Sequence, residues 1–272
     1  MNRDDDRIGA MQKLRLDKLL LELGLVETRA KARGLIMAGQ VRVAGQIADK
    51  AGMQVGTDAD VHITSGMPFV SRGGVKLEAA LHHMRLDVKG LVCADVGAST
   101  GGFTDCMLQR GAERVYAIDV GKGVLHWKMR KHPRVVLMEE TNARNLLSLT
   151  EHVELVTIDA SFISLRLLLP SAVRWLQPVS GRILALIKPQ FEAGRAQVSK
   201  GGVVRSISVR RQVLRDVLGF AVAIGLYPKD LMLSPLRGPA GNVEYLSLLT
   251  QTDYGGSTIE NLVGKVTPDA PT

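Results

Sequence analysis

A glycine-rich turn that follows a short apolar run constrains the fold of this chain more than any other segment. The run 91–96 is apolar except for Asp95, and the turn before Phe103 contains three glycines, Gly97, Gly101 and Gly102. Strands buried on both faces have this composition, and glycines let backbone amides approach a ligand closely. The segment therefore predicts a strand, a tight turn and a helix start that together border a small-molecule pocket.

The spacing of these glycines distinguishes between possible ligands. A dinucleotide site has the pattern G-x-G-x-x-G, but here Ser99 stands at the second glycine position and the carboxylate of Asp95 lies two residues before the turn. S-adenosylmethionine has a cationic amino acid end and no phosphate, so amide donors beside an acidic strand end suit it. An ordinary strand-to-helix turn with a solvated Asp95 is the alternative that this stretch alone leaves open.

Apolar runs alternate with helical patterns through the rest of this region. Strands are predicted at 114–121, 135–138, 153–158, 183–187, 231–233 and 243–248. Such alternation predicts an α/β domain with a mostly parallel sheet, whose ligands bind at the carboxyl ends of the strands. Asp119 ends the strand after the glycine turn, where nucleotide sites place a carboxylate for the ribose hydroxyls. A capping role for Asp119 is the alternative.

Two charged residues end later strands and suggest a reaction. Lys188 follows the run 183–187, and Asp159 follows 153–158. A lysine there can take a proton from a hydroxyl or stabilise the alkoxide during methyl transfer, with Asp159 orienting its amine and Glu244 completing the charge balance. Strand-end ion pairs without catalysis are the alternative. Enzymes that methylate exocyclic amines carry Asp/Asn-Pro-Pro-aromatic after the fourth strand, whereas this chain has Asp-Ala-Ser-Phe at 159–162.

The overall charge indicates a polyanionic partner. The formal net charge is +8, which favours nucleic acid over a merely basic enzyme. Cys93 and Cys106 are the two cysteines, so neither a disulfide framework nor a metal cluster is expected, and both are predicted to be small buried side chains. The first residues lack the apolar core of a signal peptide, and no apolar run reaches the roughly 18 residues that span a bilayer. We therefore expect a cytoplasmic protein.

The N-terminal region carries a separate basic pattern. A helix with apolar residues at 16, 19, 20 and 23 is followed by a second helix that begins near Thr28 and ends at Gly39. The second helix presents three basic side chains, Arg29, Lys31 and Arg33. The stretch 40–46 alternates as a short strand that presents Arg42. Such a charge run is often only a solvated helix face.

This arrangement resembles the alpha-L RNA-binding module of a ribosomal small-subunit protein, pseudouridine synthases and tyrosyl-tRNA synthetases. The resemblance lies in Arg-Leu-Asp at 15–17, Thr-Arg-Ala-Lys-Ala at 28–32 and the pattern Ile-x-x-Gly-x-Val-x-Val-x-Gly at 36–45. It implies that the basic face grips structured RNA through phosphate contacts. The expected contacts are Arg15, Arg29, Lys31, Arg33 and Arg42.

From about residue 14 to 250 the chain resembles the TlyA family, also called hemolysin A, of ribosomal RNA 2′-O-methyltransferases. The catalytic domain of that family is similar to FtsJ-type methyltransferases. The matching stretches are 70–77, 95–105, 187–194 and 200–205. The resemblance implies a catalytic Lys-Asp-Lys-Glu tetrad at Lys76, Asp159, Lys188 and Glu244. It implies S-adenosylmethionine contacts from Asp95, Gly97, Ser99, Thr100, Gly101, Gly102, Phe103 and Asp119, and we extend these to Asn142. Further RNA contacts are expected from Arg72, Arg195, Lys200 and Arg205, in part from a loop that closes over RNA.

The predicted architecture is an α/β chain: a Rossmann-like adenosylmethionine-dependent methyltransferase sheet with a small α+β N-terminal RNA-binding domain. We expect a flexible tail at 1–13, the RNA-binding domain at 14–65, a linker at 66–75, the FtsJ-like domain at 76–250 and a flexible tail at 251–272. The expected activity is 2′-O-methylation of a cytidine ribose in ribosomal RNA of ribosomal subunits. The alternatives are an RNA-binding protein without catalysis and a membrane-lytic hemolysin. The sequence does not indicate the oligomeric state.

Overall fold

A computed structural model describes residues 13–37, 39–64, 68–253, 255 and 257–268. The chain divides into two compact units, with the division after Pro68. Most of the predicted tail at 1–13 and the start of the predicted linker, residues 66 and 67, lie outside the described residues. The linker prediction is wrong for residues 72–75, because a helix begins at Arg72.

The N-terminal unit combines two short helices with two small antiparallel sheets. Its helices are α1, Leu16–Glu22, and α2, Arg29–Met37. Its strands are β1, Lys13–Arg15; β2, Val41–Val43; β3, Gln46–Ile47; β4, Gln54–Gly56; and β5, Val61–Ile63. Strand β1 pairs with β4, and the other sheet has the order β3-β2-β5. The apolar positions of both helices, including Leu16, Leu20 and Ile36, form the buried core of this unit.

The C-terminal unit is built on one seven-stranded sheet. Its strands are β6, Val92–Val96; β7, Arg114–Ile118; β8, Val135–Met138; β9, Leu155–Ile158; β10, Arg182–Ile187; β11, Tyr227–Leu233; and β12, Tyr245–Thr250. Its helices are α3, Arg72–His83; α4, Gly102–Gln109; α5, Trp127–Arg130; α6, Leu165–Trp175; α7, Pro189–Glu192; α8, Ile207–Ala223; and α9, Ile259–Val266. The strand order is β11-β12-β10-β9-β6-β7-β8. The predicted α/β architecture is confirmed.

The direction of the strands brings the candidate site residues to one edge. Strands β10, β9, β6, β7 and β8 are parallel, so the residues that follow them lie at a common edge. Strand β12 is antiparallel to β10, with Tyr245 opposite Ile187. Glu244, which precedes β12, therefore lies at the same edge as Lys188, which follows β10. Apolar side chains cover both faces of the sheet and exclude water from beneath this edge.

The predicted C-terminal tail contains a helix, so that prediction is wrong for residues 259–266. Helix α9 buries Leu262 and Val263 in the core of the larger unit. The guanidinium of Arg215 on α8 binds the carboxylate of Glu260 at 2.8 Å. The apolar face of α9 is only eight residues long, and the polar and glycine-rich composition around it conceals the helical period.

Three further observations concern the described part of the chain. Both cysteines are free and buried, as the sequence predicted. The structure describes no helix with the length and apolarity needed to cross a membrane. Within the described residues there is also no group of three or more histidine, cysteine or acidic side chains placed to hold a metal ion.

Candidate active site

The glycine turn after β6 lies against the end of β9. Gly97 has φ +79°, and a Cβ atom there would lie 2.9 Å from the carbonyl oxygen of Asp159. Any larger residue would therefore push apart the two strand ends that form the site. The turn is held to the next strand by the backbone amide of Ser99, which donates to Oδ2 of Asp119 at 2.8 Å. Gly97 and Ser99 line two adjoining cavities at this edge of the sheet.

The other two glycines of the turn have packing roles. Gly101 has φ +94°, and a Cβ atom there would lie 2.9 Å from Leu125 and 3.0 Å from Met129. Gly101 borders neither cavity and shapes the turn, and its expected contact with the cofactor stays a prediction. Gly102 starts α4, and a Cβ atom there would lie 2.8 Å from the amide of Gly74 at the start of α3. Gly102 borders the first cavity together with Thr100 and Phe103.

Asp95 lies beneath the turn, and its expected contact with the cofactor stays a prediction. Its side chain is fully buried, and its oxygens accept hydrogen bonds from Thr104 Oγ1 at 2.6 Å and Thr157 Oγ1 at 3.1 Å. The carboxyl group therefore ties the start of α4 to β9 and supports the turn from the interior. Burial raises the pKa of Asp95 to about 7, against the effect of these hydrogen bonds.

This placement of Asp95 predicts how stability depends on pH. The unfolded chain loses the Asp95 proton near pH 4, whereas the folded chain keeps it until about pH 7, so stability falls as the pH rises from 4 to 7. The full effect is about 4 kcal/mol. The substitution Asp95→Asn keeps hydrogen-bonding partners for both threonines and removes the titration. Urea denaturation between pH 4 and 8 should show a flatter profile for the variant; parallel profiles would contradict the assignment.

The cavity on the β7 side has the features of an adenosine site. Asp119 borders it, and its two carboxylate oxygens accept from the amides of Ser99 and Gly121 at 2.8 and 2.7 Å. These bonds fix the carboxylate while leaving it partly exposed to the cavity. Val120 and Asn142 border the same cavity, and Oδ1 of Asn142 accepts from the amide of Arg144 at 3.1 Å. The side-chain amide group of Asn142 is therefore held by the chain in a defined position.

The adjoining cavity carries two lysines. Lys188 Nζ lies 2.6 Å from Oδ1 of Asp159 and 3.0 Å from Oγ of Ser161. Lys76 and Lys188 are both buried except for a small exposed fraction that borders this cavity. Asp159 and Ser161 border both cavities, so the Lys188 amine stands where the two cavities meet.

A second ion pair completes the predicted tetrad. Lys76 Nζ on α3 lies 2.6 Å from Oε2 of Glu244, and the side chain of Glu244 is only 1% exposed. The other oxygen of Glu244 accepts from Gln190 Nε2 at 3.3 Å. Gly238 provides the space, since a Cβ atom there would lie 2.5 Å from Oε1 of Glu244. Glu244 does not border the cavity and lies behind Lys76, so the tetrad consists of two adjacent ion pairs.

Family models match nearly all of this architecture. The FtsJ-like methyltransferase model matches residues 69–251, and the S4 domain model matches residues 14–61. The chain is 42% identical over 267 residues to the 16S/23S rRNA (cytidine-2′-O)-methyltransferase TlyA of Mycobacterium tuberculosis, across 96% of this chain and 99% of the relative. The chain belongs to the TlyA family of FtsJ-like methyltransferases.

Two other members support this assignment. YqxC of Bacillus subtilis, provisionally named an rRNA methyltransferase, is 48% identical over 241 residues, which are 86% of this chain and 85% of the relative. A solved structure from Streptococcus thermophilus, provisionally named a hemolysin, superposes with a TM-score of 0.71 and 42% identity over 94% of this chain and 96% of the other. The predicted resemblance to the TlyA family is confirmed.

Methyltransferases of this kind use S-adenosylmethionine, and the residues of this site fit that cofactor. Because Gly97 lies against the backbone of Asp159, a ligand can approach the turn only from the side that faces the two cavities. Asp119 offers a carboxylate to a ribose diol, and Asn142 offers an amide to an adenine ring. The acidic and hydroxyl groups near Asp159 and Ser161 suit the cationic methionine end. We call the β7-side cavity the adenosine cavity and the cavity that Lys76 and Lys188 border the tetrad cavity, and the position of the cofactor in them stays a prediction.

Sequence reasoning missed several residues of the site. Ser161, Arg237 and Pro239 border the tetrad cavity, and Phe162 borders the adenosine cavity. The side chain of Phe162 is 90% exposed at φ +63°, and its ring lies 4.9 Å from the ring of Phe191. A bulky residue in the left-handed region is strained and often has a functional reason. Its position three residues after Asp159 is the signal that could have identified it.

The predicted RNA contacts of the larger unit occupy two places. Arg72 borders the tetrad cavity, and its guanidinium donates to the carbonyl of Arg237 at 3.4 Å. The other three, Arg195, Lys200 and Arg205, are exposed and border neither cavity. Their loop is fixed by Asn242, which accepts from the amide of Val204 at 3.0 Å and donates to the carbonyl of Gly202 at 2.8 Å. A role of these three residues in RNA binding stays a prediction.

In the N-terminal unit, three of the predicted RNA contacts surround one buried carboxylate. Asp17 is fully buried and binds Arg15 at 3.0 Å, Arg29 at 2.7 Å and Arg33 at 3.3 Å. The hydrogen bonds from Arg15, and then those from Arg29 and Arg33, hold the pKa of Asp17 well below its usual range. Three guanidinium groups against one carboxylate leave a net positive cluster that is still partly exposed. The arginines are therefore preorganised, which the sequence did not predict.

The two remaining predicted contacts of this unit lie outside the Asp17 cluster. Lys31 Nζ lies 3.6 Å from the exposed carboxylate of Glu27. Arg42 lies on β2, and its guanidinium donates to the carbonyl of Gly45 at 2.8 Å. Neither interaction buries the cationic group, so both remain accessible to a phosphate.

The arginine cluster predicts a local effect of Asp17. The substitution Asp17→Asn removes the charge that holds three guanidinium groups together and should destabilise the N-terminal unit by about 1.5–3 kcal/mol, the range for hydrogen bonds to a charged group. Hydrogen exchange of peptides from α1 and α2 measures this. Glu27→Gln is the matched control, because its ion pair is exposed and should contribute little. Equal exchange in the two variants would refute the role of Asp17.

Proposed function

We propose that this protein transfers the methyl group of S-adenosylmethionine to the 2′-hydroxyl of a cytidine ribose in ribosomal RNA. The observation that carries the proposal is the pair Lys188 and Asp159, separated by 2.6 Å at the junction of the adenosine and tetrad cavities. An amine held there meets both the donor and an incoming hydroxyl. The TlyA relatives act on cytidine in rRNA, which supports the choice of acceptor.

The chain's own groups account for the proton of the reaction. When bound, S-adenosylmethionine supplies a methyl group that is open to in-line attack by an oxygen nucleophile. Lys188 Nζ holds the 2′-oxygen and, once its own proton has passed to Asp159, takes up the hydroxyl proton as the new oxygen–carbon bond forms and the methyl–sulfur bond breaks. Asp159 and Ser161 engage the amine from the other side and fix its direction. Lys76, held by Glu244, adds a positive charge near the developing alkoxide.

Phe162 offers a surface for the base of the target nucleotide. Its exposed ring lies beside Phe191, whose ring centroid is 5.9 Å from Lys188 Nζ. RNA-binding proteins that act on single nucleotides stack an unpaired base on such aromatic rings. In this arrangement the stacked base places its ribose near Lys188.

The N-terminal unit supplies the sequence-independent part of RNA binding. S4 domains occur in RNA-binding proteins, and the net positive cluster around Asp17, with Lys31 and Arg42, suits phosphate groups. These contacts position a folded RNA, whereas the catalytic unit acts on one ribose. The substrate we propose is a ribosomal subunit, and the compartment is the cytoplasm.

Methylation mapping tests the proposed function. Purified small and large ribosomal subunits that lack the modification are incubated with the protein and labelled S-adenosylmethionine, and ribose methylation is mapped by mass spectrometry of RNA fragments. We expect one or a few 2′-O-methylcytidines, in a reaction that free rRNA supports less well. Label on a base, or no transfer to either subunit, would refute the proposal.

A further inference from the structure

The segment that leads from Asp119 to β8 is basic. Residues 120–134 contain five lysines and arginines and two histidines, and no aspartate or glutamate. The segment contains the one-turn helix α5, Trp127–Arg130. A positive segment at the edge of the cofactor site suits a polyanion.

Trp127 exposes an aromatic ring in the middle of this segment. Its side chain is 60% exposed, whereas its neighbours Leu125 and Met129 are buried and anchor the segment to the domain. The other tryptophan, Trp175, is only 1% exposed and belongs to the core. Trp127 therefore contributes little to packing, and a large exposed aromatic side chain of this kind is typical of a binding surface.

Two lysines flank the ring. Lys128 Nζ and Lys131 Nζ each lie 5.9 Å from the Trp127 ring centroid. The other cations of the segment are engaged elsewhere: Arg130 with Glu139, Lys122 with Glu140, and Arg134 with the carbonyls of Leu108 and Ala112. In the described residues Lys128 and Lys131 have no carboxylate partner, so their charges face solvent beside the ring.

The segment lies directly on the glycine turn of the active site. The amide of His126 donates to the carbonyl of Thr100 at 3.2 Å, and Leu125 and Met129 fill the space beside Gly101. Thr100 borders the tetrad cavity. Trp127 therefore follows a residue, His126, whose backbone is hydrogen-bonded to the rim of the tetrad cavity at Thr100.

We infer that Trp127, Lys128 and Lys131 form a second RNA contact, in which an unpaired base near the target nucleotide stacks on the indole while the two ammonium groups bind the adjacent phosphates. Stacking platforms flanked by cations bind single-stranded nucleic acid in this way. The inference rests on the proposed function in one respect, since RNA is taken as the substrate. It adds a surface that neither the tetrad nor the N-terminal unit provides.

Tryptophan fluorescence tests the contact directly, because the chain has only two tryptophans and one of them is buried. The full-length protein is titrated with the single strand U12, with the duplex A12·U12 and with inorganic polyphosphate. U12 should quench the emission and protect Trp127 from acrylamide. The duplex and polyphosphate should bind without quenching. The variant Trp127→Phe should show no change in emission.

Affinity measurements with variants complete the test. Trp127→Ala should weaken U12 binding about ten-fold or more, and Trp127→Phe should restore most of the affinity. In the double variant Lys128→Ala/Lys131→Ala, the plot of log association constant against log salt concentration should be less steep. Its negative slope should shrink in magnitude by about 1.4, because two phosphate contacts to a single strand are lost. Lys89→Ala is the charge control for the unit, because the exposed Lys89 precedes β6 at the opposite edge of the sheet.

The outcomes separate this inference from the proposed function. Unchanged emission and affinity, with normal methylation of subunits, would overturn the inference alone. Quenching by U12 without any methyl transfer would overturn the proposed function and leave the RNA contact standing. A concentration-dependent emission change in the absence of RNA would assign Trp127 to an interface between copies of this chain, and would overturn the inference as well.

Discussion

Replacement of Lys188 by alanine should reduce methyl transfer about 10²- to 10⁴-fold, the range for loss of a positioned acid or base. The reason is geometric: Lys188 Nζ is the amine at the junction of the two cavities, held by Asp159 at 2.6 Å and Ser161 at 3.0 Å. A water molecule that filled the vacated space could bind Asp159 and Ser161, but it would not carry the positive charge of the amine. Stability should change little, because Asp159 is partly exposed and can be solvated when its partner is removed.

The matched variant Lys188→Arg distinguishes two roles for the amine. Arginine keeps the charge beside Asp159 but does not give up its proton. If Lys188 takes the hydroxyl proton, Lys188→Arg should be as inactive as Lys188→Ala. If it only stabilises the alkoxide, the arginine variant should retain measurable transfer. Calorimetry with S-adenosylmethionine is the control and should give similar binding for all three proteins. Full turnover by Lys188→Ala would remove Lys188 from the mechanism.

The strand ends of this fold were predictable because the buried parallel strands are short apolar runs that stop at charged residues. Asp119, Asp159 and Lys188 each follow such a run, and the parallel sheet places them at one edge. Asp95 differs from these three residues. It lies within the buried part of β6 instead of after it, and a carboxyl group at that position is satisfied by threonines of neighbouring elements that are distant in sequence.

Pairings across long sequence distances could not be predicted from spacing. Lys76 and Glu244 are separated by 168 residues and meet only because α3 packs beneath the glycine turn and β12 runs antiparallel to β10. Family resemblance supplied Lys76, and the residues themselves suggested Glu244 only as a charge balance for Lys188 and Asp159. The cluster of Arg15, Arg29 and Arg33 around Asp17 is similar, since a run of exposed basic residues has the same composition whether or not a buried acid organises it.

Lys76→Met should destabilise the larger unit by about 3–5 kcal/mol, because it leaves the carboxylate of Glu244 buried without its ion-pair partner. Glu244 is 1% exposed, and its remaining hydrogen bond comes from Gln190 at 3.3 Å. The expected loss is larger than for Lys188→Ala, whose partner Asp159 reaches water. Urea denaturation followed by the emission of the buried Trp175, in a Trp127→Phe background, measures it.

The double variant Lys76→Met/Glu244→Leu separates stability from catalysis. Replacing a buried ion pair by apolar residues is often neutral or stabilising, so the double variant should recover most of the stability that Lys76→Met loses. It should not recover methyl transfer if the Lys76 charge acts on the acceptor oxygen. Recovery of both properties would mean that the pair serves only the fold, and that the second lysine of the cavity has no part in the reaction. Because Lys76 borders the cavity and Glu244 lies behind it, we expect recovery of stability alone.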